Sequence, residues 1–152
     1  MLTDHIDIQL KHEEFVRQVC KTTIVYALES EKEGLATSSS NNFEDENGEP
    51  VEIICFWSEK AYANSCKKDG WKEYKLVEIS LSEFIENWCI GMDKEGILVG
   101  PNFDQNMFGH EIDPLELILE LVQVLQNNKS EIEFLKFENL DDLEYQIKEV
   151  LE

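Results

Sequence analysis

The stretch 51-VEIICFW-57 decides the fold. It is almost continuously apolar and rich in β-branched and aromatic residues, which is typical of a central strand buried on both faces. Turn signals flank it. The polar segment 38–50, with 45-DENGEP-50 at its core, precedes it as a loop, and Ser58 can cap a short helix over residues 59–67. We therefore expect a sheet built around residues 51–57.

The elements on either side of this strand follow from periodicity and from capping signals. Leu10 and the apolar residues after it predict a first helix over residues 10–20, and a strand over 23–28 can pair with a short strand at Leu35. Further strands are predicted over residues 74–79 and 97–99 and around Ile132 and Phe134. Helices are predicted from the capping box 80-SLSE-83 to Gly91, from Asp113-Pro114 to about Gln126, and from Leu140 to Val150.

These elements predict one α+β domain over residues 1–152. We expect a mostly antiparallel sheet of about four to six strands covered by helices, since neighbouring strands are joined by short, hairpin-like connections. The last helix is an addition to this core, within an extension over residues 127–152. Its narrow apolar seam can pack onto the domain or onto a second copy of the chain, so a homodimer stays open.

The charge of the chain excludes several classes of partner. Its 152 residues include 33 acidic and 13 basic side chains, a formal net charge of −20. A chain this acidic does not neutralise phosphates, so we expect no direct binding to nucleic acid and no attraction to an anionic membrane. The apolar share of 42% is enough for a folded core.

The cysteine pattern and the first residues favour a cytoplasmic location. The sequence has four cysteines, Cys20, Cys55, Cys66 and Cys89, and no two of them form a C-x-x-C pair. The sequence therefore contains neither a zinc-knuckle motif nor a thioredoxin-type redox motif. Residues 1–7 carry no basic segment or apolar run of signal-peptide length. Reduced thiols in the cytoplasm are the expectation.

The sequence contains no recognisable catalytic or cofactor motif. It has no Walker loop, no G-x-G-x-x-G and no G-x-S-x-G, and an EF-hand frame placed on Gly48 puts Phe43 and Ile54 where carboxylates are required. His5, His12 and His110 have no metal-ligand spacing. Cys66 lies beside two lysines, which could lower the pKa of its thiol and make it a nucleophile. The alternative is that Cys66 is an exposed structural cysteine. We expect no metal, no cofactor and no catalytic residue, and hence no enzyme.

Acidic residues are concentrated before the central strand. Residues 29–59 hold nine acids and one base, whereas residues 60–78 hold three acids and five lysines. An acidic surface attracts a basic protein and raises its association rate. The alternative is that these charges are solvated and only make the protein soluble. The partner-binding candidates are loop carboxylates: Glu44, Asp45, Glu46 and Glu49, joined by Asp104 and Glu111 if the fold brings the loops together.

Three tryptophans lie at predicted element ends and turns. Trp57 ends a strand, Trp71 follows a glycine and Trp88 closes a helix. Tryptophans in such places can line an interaction groove, and the alternative is that they close the edges of the core. They are the groove candidates of the sequence.

An ordered series of short motifs resembles a bacterial family, the domain-of-unknown-function family twenty-seven-fifty. The motifs are EPV from Glu49, FWSEKAYA from Phe56, Trp71, EISLSEFIENW from Glu78, GMD from Gly91, VGPNFD from Val99 and EIDPLEL from Glu111. The resemblance covers about residues 13–121. It implies a small cytoplasmic α+β protein and supplies no catalytic residues. The segment around Trp57 also resembles, more faintly, the N-terminal domain of SseB-type secretion regulators.

These observations favour an interaction protein over an enzyme. A small, acidic chain without catalytic motifs suits a toxin-neutralising immunity protein, which needs only to block a site on a basic partner. A small-ligand sensor or enzyme with an aromatic-walled groove is the alternative from another class. Mimicry of nucleic-acid charge by rows of carboxylates is a third.

Overall fold

Two three-stranded sheets form the framework of the computed structural model, which describes the backbone from residue 2 to residue 152 and the side chains from residue 6. The first sheet has the order β2-β1-β5, with β1 (Ile24–Ser30), β2 (Gly34–Leu35) and β5 (Lys75–Ser80). The second has the order β3-β4-β6, with β3 (Thr37–Glu44), β4 (Pro50–Phe56) and β6 (Leu98–Pro101). The pairings are antiparallel except for the parallel pair β4–β6.

Helices cover this framework and complete the α+β class that the sequence predicts. They are α1 (Leu2–Thr22), α2 (Lys60–Ser65), α3 (Leu81–Glu83), α4 (Ile90–Glu95), α5 (Pro114–Asn127) and α6 (Leu140–Leu151). A π-helical segment (Phe84–Cys89) joins α3 to α4 without a break. Within residues 2–152, no helix is both long and apolar enough to cross a membrane.

The local signals of the sequence are confirmed at the main helix starts. Ser80 Oγ accepts a hydrogen bond from the Glu83 amide at the start of α3. Asp113 Oδ1 accepts from the amides of Leu115 and Glu116, at 2.8 and 3.2 Å, at the start of α5. These bonds satisfy amides that a helix leaves unpaired in its first turn, so both helices begin where the capping residues predict.

Strand β4 is central, as predicted, and separates two hydrophobic clusters. Ile54 and Phe56 point into the larger cluster, with α1, α5 and α6, whereas Ile53 and Cys55 point into the smaller one, with Trp57 next in the chain. Successive side chains of a strand face opposite sides of the sheet, so one strand lines both clusters. The single sheet that we predicted is instead two sheets, linked where Tyr26 and Trp57 exchange two backbone hydrogen bonds of 2.8 Å.

The segment 38–50, predicted as a loop, is largely the edge strand β3. Its serines and asparagines lack the apolar alternation of a half-buried strand, but β3 pairs with β4 and its side chains are mainly exposed. The buried carboxylate of Glu111 also holds it, accepting from Ser40 Oγ and from the Asn41 amide. The turn is therefore confined to residues 45–49.

The predicted strand around Ile132 and Phe134 is wrong. Residues 130–139 form an irregular segment, and two of its amides are bound by a side chain rather than by a neighbouring strand. The buried carboxylate of Glu86 accepts from the amides of Leu135 and Lys136, at 3.1 and 2.6 Å. The segment thereby packs against the π-helical segment and leads into α6.

Three smaller predictions are also corrected. Gly91 lies inside α4, and Gly96, with a φ of 71°, ends that helix in the left-handed conformation that glycine adopts freely. Ser58 does not cap α2: Glu59 precedes that helix without a side-chain bond, while Ser58 is buried against Asn102. Leu10 is 56% exposed rather than part of the apolar face of α1.

Candidate functional site

The acidic turn between β3 and β4 is exposed and well ordered by its own hydrogen bonds. Asp45 Oδ1 accepts from the amides of Asn47 and Glu49, at 2.8 and 3.0 Å. The predicted candidates Glu44, Asp45, Glu46 and Glu49 are therefore displayed together at one end of the β3–β4 hairpin, with their side chains in solvent.

This turn forms one wall of a groove that we call the acidic groove. Two adjoining depressions of about 270 and 560 Å³ lie between the β3–β4 hairpin and the α4–β6 turn, and both are lined by Val51, Gly96 and Ile97. None of the described residues that line them is basic. The carboxylates of the lining are Glu44, Asp45, Glu46, Glu52, Asp93, Glu95 and Asp113.

The negative charges of the acidic groove affect the pKa of one of its carboxyl groups, that of Asp93. The pKa of Asp93 is raised by partial burial and, in addition, by the neighbouring charge of Asp113. Asp113 itself caps α5, so its position is set by the helix. Like charges are thus held side by side without a basic side chain among the described lining, and a bound cation would relieve their repulsion.

The other two acidic candidates do not join this groove. Glu111 is buried, and its carboxylate is occupied by Ser40 and Asn41. Asp104 lies in the β6–α5 connection, where its Oδ2 is 3.6 Å from the Lys11 ammonium. The structure therefore brings Glu44, Asp45 and Glu46 together in the lining of the groove. It adds Glu52, Asp93 and Glu95, which the sequence did not single out, whereas Glu49 belongs to the same turn but not to the lining.

The three tryptophans do not line a common groove. Trp57 is fully buried, and its indole N–H donates to the Phe103 carbonyl at 3.0 Å. Trp71 packs edge-on against it, with ring centroids 6.2 Å apart. Trp88 packs near Phe56 in the larger cluster instead. Their positions are those of core residues and of residues at the edges of the core.

A second concave site, the polar cavity, lies between α1, α2 and the β6–α5 connection. Its volume is about 260 Å³, and it is lined by Lys11, Glu14, Tyr62, Ser65, Asn102, Phe103, Asp104 and Gln105. The Tyr62 hydroxyl donates to Glu14 Oε1 at 2.7 Å. This hydrogen bond is the main cause of the raised pKa of Tyr62, which keeps the phenol protonated as a donor.

The floor of the polar cavity is fixed by Asn102, a buried residue with a φ of 50°. Its side-chain oxygen accepts from the Ser58 amide at 2.9 Å, and its amide nitrogen donates to Ser58 Oγ at 3.0 Å. Asparagine tolerates this left-handed backbone better than most residues. Sequence reasoning missed Lys11, Glu14 and Tyr62, and the three-residue spacing of Lys11 and Glu14 on one helix was the available signal.

The remaining candidates for chemistry are structural. Cys66 is buried rather than exposed, and burial raises the pKa of its thiol, contrary to the lowered pKa that its lysine neighbours suggest. His12 is buried with Nε2 2.6 Å from Glu120 Oε1, and its ring contacts His110 edge-on. The side chain of His5 lies outside the described residues. Within residues 6–152, no group of three His, Cys, Asp or Glu side chains is placed to hold a metal ion.

Comparison with known protein families shows which family the chain belongs to. The model of the family described as "Protein of unknown function (DUF2750)" matches residues 12–121. The chain belongs to this family. A search of curated proteins and a search of solved structures gave no match, and the similarity to SseB-type domains is not shown.

In this DUF2750 protein, both concave sites fall almost wholly within the matched region. The acidic groove is lined by residues between 43 and 114, and the polar cavity by residues between 11 and 105, so Lys11 alone lies one position outside the match. Helix α6 follows the matched region and still contributes Leu143 and Ile147 to the larger cluster.

Proposed function

We propose that this DUF2750 protein is a cytoplasmic interaction module that binds a basic protein through the acidic groove. A toxin-neutralising immunity protein of a bacterium is the specific form of the proposal. The observation that carries it is the groove itself, in which seven carboxylates surround an apolar floor and none of the described lining residues is basic.

The groove combines the two features that protein interfaces use. Phe43 is 51% exposed at its margin, and Val51 and Ile97 are half-buried along its floor, so a partner can bury apolar surface there. Apolar surface that a partner buries contributes affinity, while charged groups around it set the association rate and the choice of partner.

The proposal assigns no catalytic step to this protein. An inhibitor of this kind acts by covering a site on its partner, so it needs shape and charge rather than an activated nucleophile or a general base. The net charge of −20 extends the attraction beyond the groove and raises the encounter rate with a basic surface.

The test begins with a pulldown from the native host and continues with association rates of the captured partner at low and high salt. The variant Glu44→Gln, Asp45→Asn, Glu46→Gln should associate about 3- to 10-fold more slowly at low salt and nearly as fast as the wild type at high salt, since salt screens exposed charges. The Asp45→Asn change keeps the side-chain oxygen that orders the turn.

The matched control neutralises Glu131, Glu133 and Glu138, three exposed acids outside the groove, in the same way. It has the same net charge as the groove variant and should associate at close to the wild-type rate. Phe43→Ala should mainly raise the dissociation rate. Rates that are indifferent to salt and to the groove variant, or equal losses in both triple variants, contradict the proposal.

A further inference from the structure

The polar cavity has no part in the proposed protein interface, since its described lining residues are distinct from those of the acidic groove. Its volume of about 260 Å³ lies just below the range of about 300–1,000 Å³ typical of sites for drug-sized ligands. Tyr62 supplies apolar wall, and the charged residues of the lining are Lys11, Glu14 and Asp104. These dimensions suit a ligand of the size of a single amino acid.

The charged groups of the cavity retain capacity for a ligand. Lys11 Nζ is 3.6 Å from Asp104 Oδ2, which is a long ion pair between half-exposed groups and therefore easily exchanged. Glu14 uses Oε1 to accept from Tyr62, and a carboxylate has further lone pairs to offer on its second oxygen. One cation and two carboxylates thus surround the same space.

The signs of these charges select the ligand class. A simple anion would face two carboxylates and the strongly negative field of the whole protein. A simple cation would lie against the Lys11 ammonium. A molecule with a carboxylate and an ammonium group on the same carbon can pair with Lys11 and Asp104 at once, because those two side-chain groups are themselves close together.

We propose that the polar cavity binds a free α-amino acid, with its carboxylate on Lys11 and its ammonium group between Glu14 and Asp104. The side chain of the ligand lies against Tyr62. Asn102 fixes the floor through its two hydrogen bonds with Ser58, so this position is held in place before the ligand enters.

The probes are glycine, alanine, serine, valine, leucine and glutamine, each titrated into the full chain while backbone amide shifts are followed by NMR. At least one should give saturable shifts in residues 102–105. Its amide and its N-acetyl derivative should each bind at least about tenfold more weakly, because each removes one charge of the zwitterion. No saturable shift with any probe up to about 10 mM, or equal binding of the blocked derivatives, overturns the proposal.

Variants locate the site. Lys11→Met and Glu14→Gln should each weaken binding of the same probe about tenfold or more. Lys21→Met and Glu13→Gln remove the same charges from exposed positions on α1 and should leave binding unchanged. Circular dichroism of each variant checks that it is folded. Wild-type affinity in Lys11→Met, or equal losses in the control variants, would place the ligand elsewhere and overturn the proposal.

Discussion

Replacing Glu86 by glutamine should destabilise the protein by about 2–4 kcal/mol. The Glu86 side chain is 4% exposed, and its two oxygens accept from the Leu135 and Lys136 amides at 3.1 and 2.6 Å. Glutamine keeps one acceptor and turns an NH₂ group towards the other amide. One hydrogen bond to a charged group, about 1.5–3 kcal/mol, is lost, and the surviving bond is weakened because its acceptor is neutral.

Urea unfolding followed by circular dichroism measures this change as a shift of the midpoint. Hydrogen exchange locates it, because the amides of Leu135 and Lys136 should lose protection in Glu86→Gln. The control Glu83→Gln alters an exposed carboxylate of the same helical stretch, and should change stability by less than about 0.5 kcal/mol. If Glu86→Gln were as stable as the control, or if the two amides stayed protected, the role given to Glu86 would be refuted.

Three further predictions concern the core and the helix caps. All four cysteine thiols are buried, and burial raises the pKa of each. Ellman's reagent at neutral pH should therefore react slowly with the native protein, whereas all four thiols should react once the protein is unfolded. Rapid reaction of Cys66 in the native protein would contradict this. Burial lowers the pKa of His110, and the nearby His12 lowers it further. The stability that neutral His110 contributes is therefore present above the ordinary histidine pKa of about 6.5, and it is lost as the pH falls through the lowered pKa. His110→Gln should therefore flatten the slope of unfolding free energy between about pH 7 and 5, and an unchanged slope would count against the assignment. Asp113→Ala should lower the free energy of unfolding, measured with urea, by about 1 kcal/mol, because it removes the N-terminal cap of α5. Asp113→Asn keeps a capping oxygen and should retain most of that stability. Equal losses in both variants would show that the cap is not the cause.

The parts of the fold that the sequence predicts are those set by local physics. The apolar run 51–57 marks β4, and the caps Ser80 and Asp113 mark helix starts, because a capping oxygen and the amides it binds lie within three residues of each other. The polar face of α5, which is formed by Glu116, Glu120, Gln123 and Asn127, also follows from a local rule, the period of the helix.

The missed parts depend on residues far apart in the chain. Strand β3 is polar, and its Ser40 is held by Glu111, which lies 71 positions away. The irregular segment before α6 is held by Glu86, about 50 positions earlier. A carboxylate that is buried to bind distant amides looks like any surface acid in sequence, and this also explains why Glu111 was grouped with the exposed loop.

The candidate site was predicted in part for the same reason. The four hairpin carboxylates adjoin one another along the chain, so composition alone singled them out. Glu52 and Glu95 meet only because β4 pairs in parallel with β6 after a long crossover. The polar cavity joins α1 to Tyr62 and Asp104, and nothing in a single sequence places those segments side by side.

The two-sided packing of β4 bears on how the molecule would come apart. Its alternate residues belong to different hydrophobic clusters, so displacing this one strand exposes apolar side chains of both clusters. Trp57 and Trp71 emit from the smaller cluster and Trp88 from the larger one. Single-tryptophan variants would thus carry separate fluorescent reporters of the two halves, and a common strand between them requires that both signals change at the same denaturant concentration.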